Sequence, residues 1–368
     1  MPAPEATFMK LALKLAARGA GWVSPNPMVG AVVVREGRLV AQGYHRRVGE
    51  AHAEVEALQK AGDAARGADL YVTLEPCNHH GRTPPCTQAI LAAGVRRVII
   101  ASPDPNPRVT CGGAAFLASQ GVQVEVGLLE AQARRLNEAW YKWVSTGLPL
   151  VIAKAACSLD GKIATATGES QWLTGEAARA FGHRLRHQAD AILVGVGTVL
   201  ADDPQLTTRL TRRQGKDSIR VILDSRLRLP LTARLLHLKS PAPTWVACTD
   251  KAPKEKIKAL KNQGAEVLVL PQESAESGRV ALKPLLKLLG KRQVQSLLVE
   301  GGAETLGAFF DQRLVDKFYF FYAPKFLGGH NAPSVLGGHG VTLLKDAPQA
   351  SDLIIRRLGS DFMISGYL

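Results

Sequence analysis

The stretch Leu70-Tyr71-Val72-Thr73-Leu74-Glu75-Pro76-Cys77-Asn78-His79-His80-Gly81-Arg82-Thr83-Pro84-Pro85-Cys86, with His52-Ala53-Glu54 upstream of it, decides how this chain reads. Leu70 to Leu74 is strand-like and delivers Glu75-Pro76-Cys77. Thr83-Pro84-Pro85 opens a helix, proline being tolerated in a first turn, so Cys86 falls near a helix start. His52 also falls at the start of a helix, one expected to run through Lys60. The partial positive charge of a helix N-terminus favours thiolate. One imidazole and two thiols are ligands of the type zinc accepts, and a catalytic site keeps a position open where a structural site usually closes on four protein donors. His52, Cys77 and Cys86 make three. Singly, each has a bland reading: a polar side chain at a helix start, or a buried and inert thiol. Their grouping with an acid makes the metal reading the stronger one.

Glu54 lies in the first turn after His52, where it can face an open metal position without binding it. Zinc deaminases use this division of labour: His and two Cys hold the metal and a non-ligand Glu moves protons. The expected chemistry is hydrolytic loss of ammonia from an aminopyrimidine-like ring, with zinc lowering the pKa of its water and Glu54 carrying the proton. The departure is Cys-x8-Cys where the general signature has Cys-x2-Cys. Asn26 in the stiff loop Ser24-Pro25-Asn26-Pro27, His45, His79 and Arg82 are candidate substrate contacts, each with a plain polar alternative.

Outward from this stretch, residues 5–20 have the spacing of an amphipathic helix. Val29–Arg35 and Arg38–Tyr44 read as strands joined by a Glu36-Gly37 hairpin turn. Arg97–Ala101 and Val122–Val126 follow as strands, and Glu130 to about Thr146 as one helix. Helices and strands alternate, so residues 1–147 form a three-layer α/β unit. Gly147-Leu148-Pro149 marks the boundary. Residues 148–368 begin with a strand, Leu150–Ala156, and continue as a mostly parallel α/β sheet. Lys317–Tyr322, Leu353–Arg357 and Phe362–Tyr367 add an antiparallel edge. Glu300-Gly301-Gly302 follows a strand and opens a helix, the arrangement that brings backbone N–H groups to an anion. Gly195-x-Gly197 is a second such corner. Neither completes Gly-x-Gly-x-x-Gly, so a standard Rossmann reading is poor.

The 368 residues carry a net charge of +14 and are 46% hydrophobic and 21% charged. Residues 148–368 hold 30 basic and 20 acidic side chains, +10 of that excess. No Lys/Arg block is interleaved with aromatics, so phosphorylated small ligands are favoured over nucleic acid. No apolar run reaches the ~18 residues of a membrane span. The first residues lack the basic and apolar regions of a signal peptide. Five cysteines, 77, 86, 111, 157 and 248, make no disulfide framework. A cytoplasmic enzyme is expected.

The whole chain resembles the bifunctional riboflavin-biosynthesis deaminase–reductase family. The first half carries Pro25-Asn26-Pro27-x-Val29-Gly30, His52-Ala53-Glu54, Glu75-Pro76-Cys77 through Cys86, and Asp104-Pro105-Asn106-Pro107. The second carries Ser158-Leu159-Asp160-Gly161, Gly168-Glu169-Ser170-Gln171-Trp172, Gly197-Thr198 through Pro204, Val299-Glu300-Gly301-Gly302 and Ala323-Pro324-Lys325. The long Cys–Cys gap belongs to this family. The resemblance implies a cytidine deaminase-like domain followed by a dihydrofolate reductase-like domain, one Zn2+ and NADPH. It implies deamination of 2,5-diamino-6-(5-phosphoribosylamino)pyrimidin-4(3H)-one and reduction of the ribosyl group of the product to ribityl. It places cofactor contacts at Ala156, Trp172, Thr198, Asp202, Ser225 and Gly302, Ala303, Glu304, Thr305, Leu306, Gly307 and Ala308. Substrate contacts fall at Ser170, Arg186, Leu206, Arg209 and Glu300. Lys154, on the opening strand near the ribose, is a candidate catalytic residue beside Glu54, and a homo-oligomer, first of all a dimer, is expected. Asn78 stands where Ser is common, and Thr110-Cys111-Gly112-Gly113 replaces a more usual Ala-Gly-x-Gly. The alternatives are a nucleic-acid base deaminase with an appended basic module, and a zinc-stabilised binding protein for which Glu54 would have no use.

Overall fold

The run Ala31-Val32-Val33-Val34 is apolar at every position, and the strand it forms is buried on both faces. In this strand, β1 (Gly30–Arg35), Ala31 and Val33 join one core and Val32 and Val34 the other, the period of two of a pleated chain. The computed structural model describes residues 4–79, 84–106, 112–211 and 214–368. It divides into two units, Met1–Gly147 and Leu148–Leu368.

In the first unit β2 (Arg38–Tyr44) folds back on β1 through Glu36-Gly37, whose φ angles of 51° and 72° are those a two-residue hairpin of this twist needs. With β3 (Asp69–Val72), β4 (Arg97–Ile100) and β5 (Gln123–Val126) they make a five-stranded sheet in the order β2-β1-β3-β4-β5. Strand β1 is antiparallel to both neighbours, and β3, β4 and β5 run parallel. Helix α1 (Pro4–Ala16) lays Met9, Ala12 and Leu15 on one face. Helices α2 (Ala53–Ala61), α3 (Cys86–Ala92) and α4 (Gly113–Ser119) bring Ala57, Ile90 and Leu117 to the other. Helix α5 (Glu130–Leu136) returns Ala133 to the first face, and α6 (Glu138–Thr146) ends the unit. The single helix expected over 130–146 is therefore two. Asn137, with φ −105° and ψ 24°, breaks it, and its side chain is engaged elsewhere. Gly43 lets α2 lie against β2: a Cβ there would stand 2.5 Å from the Ala53 carbonyl oxygen and 2.7 Å from the Ala57 nitrogen.

In the second unit β6 (Leu150–Ser158) is followed by α7 (Glu176–Gln188), β7 (Ala191–Gly195), α8 (Val196–Asp202), β8 (Ile219–Leu223), β9 (Thr244–Thr249), α9 (Lys254–Asn262), β10 (Glu266–Leu270), α10 (Leu282–Lys291), β11 (Ser296–Val299), α11 (Ala303–Asp311), β12 (Lys317–Ala323), β13 (Ser351–Leu358) and β14 (Asp361–Tyr367). The nine-stranded sheet runs β10-β9-β8-β7-β11-β6-β12-β14-β13. It is parallel from β10 to β12 and antiparallel beyond. Leu285, Leu289, Leu306 and Phe309 of α10 and α11 pack one face. Residues of α8 and α9 (Val196, Val199, Leu260) and of α7 (Ala178, Leu185) pack the other. The α/β class expected of both halves is what the chain adopts. Two details differ from the sequence reading. The corner after Gly195 continues as a two-turn helix, α8, stopped by Asp203 at φ 38° and by Pro204. The last three strands do not lie in chain order: β14, which has a buried face, lies between β12 and β13, and β13, exposed at all but its last residue, is the edge.

Candidate functional site

Strand β3 ends beside the start of α2, and the loop after it leads into α3. His52 precedes α2 and its carbonyl accepts from Glu56 N, while Cys86 is the first residue of α3. Cys77 is folded back onto that helix start: its Sγ accepts from Cys86 N at 3.3 Å and its carbonyl from Thr87 N at 3.3 Å. His52 Nδ1 stands 3.1 Å from Cys86 Sγ and 3.6 Å from Cys77 Sγ, and the three donor atoms lie within 4.8 Å of one another. Ligand distances of about 2.05 and 2.3 Å at tetrahedral angles call for N···S and S···S separations of roughly 3.6 and 3.8 Å, so the donors fit a zinc ion with little adjustment. Among the described residues no fourth His, Cys, Asp or Glu joins them.

The electrostatics of the group suit a cation. The hydrogen bond from Cys86 and the nearby His52 hold the Cys77 thiol down at about 4, and the same Cys86–Cys77 interaction with burial keeps Cys86 up. His52 is raised, first by its hydrogen bond to Cys77. Glu54 is buried, 3% exposed, and burial followed by the charge on Cys77 pushes its carboxyl up to about 7.

Around this group the candidate contacts separate. Ala51 O can only accept, so His45 Nδ1 carries the hydrogen toward it at 3.1 Å; Nε2 is then the acceptor for the Asn26 amide at 3.1 Å. His45 is buried and its ring meets His52 edge to face at 5.4 Å. Both its nitrogens are therefore used inside the protein, and it anchors Asn26 to the metal-ligand segment. His79 is exposed, and Arg82 lies outside the described residues. Asn78 accepts from the Thr87 hydroxyl at 2.8 Å, which ties the loop to α3. Two residues given no role by the sequence reading organise the surroundings. Asn137 holds both backbone polar groups of Met28. Glu75 accepts from Asp104 N at 3.1 Å and Ala114 N at 2.9 Å, joining the segment before Cys77 to the Asp104-Pro105 turn and the start of α4. An Asn inside an otherwise helical run was the available signal for the first; Glu75 stood in a quoted motif without a visible partner.

The second unit collects its candidates in two places along the C-terminal ends of its parallel strands. One is a cleft of about 640 Å³ whose lining includes Thr198, Ser225, Gly302, Ala303, Glu304, Thr305 and Ala308. Gly195 and Gly301 flank it because Thr305 fills the space a Cβ would need, 2.5 Å away in each case. Leu306 faces the core and Gly307 packs against the Gly337 backbone, and neither is among the residues that line the cleft. The other is an ion cluster. Arg186 donates through Nε and one terminal nitrogen to the two oxygens of Glu300, 2.8 Å each, and Lys154 Nζ stands 3.5 Å from Glu300 Oε2. Burial alone would raise the Glu300 carboxyl, but Arg186 and Lys154 hold it down at about 2. Arg186 also donates to Thr207 O, and His183 Nδ1 accepts from Arg209 N. Burial, with Arg186 and Arg209 nearby, lowers His183 to about 4. Leu206 is buried in the core with φ 54°, leaving its backbone as its contact surface. Ser170 donates to Asp202 at 3.3 Å. Trp172 is 63% exposed beneath the Arg179 guanidinium, and Ala156 is half-buried on β6.

The family model for the cytidine and deoxycytidylate deaminase zinc-binding region matches residues 3–102, and that for the RibD C-terminal domain matches residues 149–364. The riboflavin biosynthesis protein RibD of Bacillus amyloliquefaciens is 44% identical over 98% of this chain and 95% of its own length. That of Escherichia coli is 41% identical, covering 96% of each. Among solved structures, Acinetobacter baumannii RibD superposes with a TM-score of 0.87 at 37% identity, over 99% of this chain and 98% of that one. A diaminohydroxyphosphoribosylaminopyrimidine deaminase/5-amino-6-(5-phosphoribosylamino)uracil reductase of Thermotoga maritima does so with a TM-score of 0.84 at 36% identity, over 99% and 98%.

Proposed function

The chain belongs to the RibD family of riboflavin biosynthesis proteins, and on that premise we propose that it carries out two successive reactions of that pathway. Residues 1–147 deaminate 2,5-diamino-6-(5-phosphoribosylamino)pyrimidin-4(3H)-one. Residues 148–368 reduce the ribosyl side chain of the resulting uracil to ribityl with NADPH. The observation that carries the reading is the open three-donor group of His52, Cys77 and Cys86 with the buried, non-ligating Glu54 beside it. Bound there, zinc supplies the positive charge that makes water nucleophilic near neutral pH.

Glu54 accepts one proton of the attacking water and passes it to the ring nitrogen, then takes the second from the added hydroxyl and gives it to the amine, which leaves as ammonia as the carbonyl forms. A carboxyl held near 7 by burial suits both directions of transfer. Asn26, fixed by His45, orients the pyrimidine, with His79 and Arg82 as further substrate contacts. In the second unit the cleft lined by Thr198, Ser225 and Gly302 to Thr305 would hold NADPH, which would supply the hydride. Glu300 stays ionised against Arg186 and accepts hydrogen bonds from the sugar, and Lys154 holds the proton for the sugar oxygen. Arg209 and Ser170 bind the rest of the phosphorylated substrate, charge-assisted contacts suiting its phosphate.

We further propose a homodimer and a cytoplasmic location. Strand β13 supports the first: it is a sheet edge with Leu353, Ile354 and Ile355 each more than half exposed, and such edges pair with another strand. The unbridged Cys77, Cys86, Cys157 and Cys248 suit a reducing compartment. Among the described residues no helix is long and apolar enough to cross a membrane.

The test is a coupled assay on the phosphoribosylaminopyrimidine that scores ammonia release and NADPH oxidation separately. Glu54→Gln keeps zinc and loses ammonia release, while NADPH oxidation persists on the deaminated substrate. Unchanged ammonia release would refute the role given to Glu54.

A further inference from the structure

The strand order of the second unit fixes the direction in which an extended dinucleotide must lie. Strands β8, β7, β11 and β6 are consecutive neighbours and all parallel. The C-terminal ends of β8, β7 and β11 carry, in that order, Asp224-Ser225-Arg226, Gly195 to Thr198 and Gly301 to Thr305, and Lys154, midway along β6, stands level with Glu300 at the end of β11. Three strand spacings of ~4.8 Å put the first and last of these about 14 Å apart, within the reach of a dinucleotide. The cleft covers the β8, β7 and β11 positions. The reacting end belongs at β6, where Lys154 and Glu300 meet. The glycine corners and the start of α11 take the pyrophosphate. The adenosine end therefore falls at the turn after β8.

That turn has its own charge pattern. Arg226, Arg228 and Arg279 line the cleft there, together with Asp224, Glu273 and Glu304. The acids are engaged. Glu304 pairs with Arg279 at 3.1 Å, Glu273 accepts from Gln312, and one Asp224 oxygen accepts from Leu229 N at 2.7 Å. Among the described residues Arg226 and Arg228 have no carboxylate within ion-pair distance, and both are exposed. The other Asp224 oxygen is buried without a hydrogen-bond partner in a residue only 1% exposed. A buried acceptor left without a donor at a cleft wall fits a polar ligand that brings one.

We propose that Arg226 and Arg228 bind the 2′-phosphate of the cofactor's adenosine and set its preference for NADPH over NADH. In dinucleotide sites an acid that reaches the ribose 2′-hydroxyl selects NAD, and an arginine in that place selects NADP. Here the acid of the turn is partly spent on Leu229 N, and the unpaired arginines face the cleft. Guanidinium and phosphate form short, charge-assisted bonds. The inference rests on the reading of this cleft as the NADPH site.

Equilibrium binding to the full-length protein tests it, with NADPH, NADH, adenosine 2′-monophosphate and adenosine 5′-monophosphate as probes. The double variant Arg226→Gln/Arg228→Gln should lose roughly 10- to 100-fold in affinity for NADPH and for the 2′-monophosphate, as expected of one or two charge-assisted bonds. NADH and the 5′-monophosphate should bind it as they bind the wild type. The salt dependence of NADPH binding should flatten in the variant. A second variant, Arg228→Glu, should invert the preference toward NADH. An NADPH-to-NADH affinity ratio unchanged by either variant overturns the inference and leaves the cofactor site in place. A wild-type protein that binds neither dinucleotide, or NADH in preference, overturns the cofactor reading and the inference with it.

Discussion

Asn137 clasps Met28 from both sides. Its Oδ1 accepts from Met28 N at 2.8 Å, and its Nδ2 donates to Met28 O at 2.9 Å, across more than a hundred residues of sequence. The side chain is 3% exposed and breaks α5 from α6. Met28 is two residues from Asn26, so the clasp fixes the loop that reaches the His45–His52 pair.

Asn137→Ala leaves two backbone groups without partners in a largely buried place, at a cost of about 1–3 kcal/mol. Thermal melts should show that loss. Deamination should fall in kcat/KM while zinc content, by metal analysis, and NADPH oxidation on the deaminated substrate hold. A variant with the wild-type melting temperature would contradict the clasp.

Gly43 sets the position of α2 by absence. A methyl there would press on the Ala53 carbonyl and the Ala57 nitrogen, which are helix backbone and cannot rotate aside. Gly43→Ala should therefore displace the segment that begins at His52. Weaker zinc retention under competition with a chelator is the expected result, along with a loss of stability of roughly 1–3 kcal/mol. Equal zinc affinity in the two proteins would show that the helix absorbs the methyl without moving His52.

Removing the metal should separate the two activities. Cys86→Ser, or exhaustive chelation, should abolish ammonia release and leave NADPH oxidation on the deaminated substrate. Re-adding zinc should restore the chelated wild type and not the variant. Loss of both activities on chelation would mean that the second unit also depends on the metal.

The ion cluster of the second unit has a definite pH signature. Glu300, held at about 2 against an ordinary 4.5, contributes stability that is complete above 4.5 and is lost as pH falls toward 2. His183 is also depressed, to about 4 from 6.5. A histidine kept neutral in the fold binds fewer protons than the unfolded chain between those values, so stability falls as pH drops from 6.5 to 4. Melts between pH 7 and 3 should show both declines. His183→Gln should remove the upper one. Glu300→Gln leaves the Arg186 charge uncompensated, costs roughly 3–5 kcal/mol, and removes the lower. A His183 ring titrating near 6.5 by NMR would refute its placement.

Sequence alone determined what depends on local pattern and residue chemistry. The apolar run in β1, the Glu36-Gly37 turn and the alternation of helix and strand gave the α/β class, because burial period and turn geometry are local properties. The residue types from His52 to Cys86 pointed to a group that could hold a metal, because few residue types bind zinc. Tertiary structure decided what depends on partners far apart in the chain. It showed Asn137 holding Met28 and interrupting a helix that the periodicity carried straight through. It tied up both His45 nitrogens, and it placed β14 between β12 and β13, leaving β13 as the edge. It paired Glu300 with Arg186 and left Arg226 and Arg228 unpaired beside the cleft. Hydrogen bonds and ion pairs between distant segments leave no periodic trace in a sequence. Which polar residue stands free and which is engaged is settled only when the sheets bring the strand ends together.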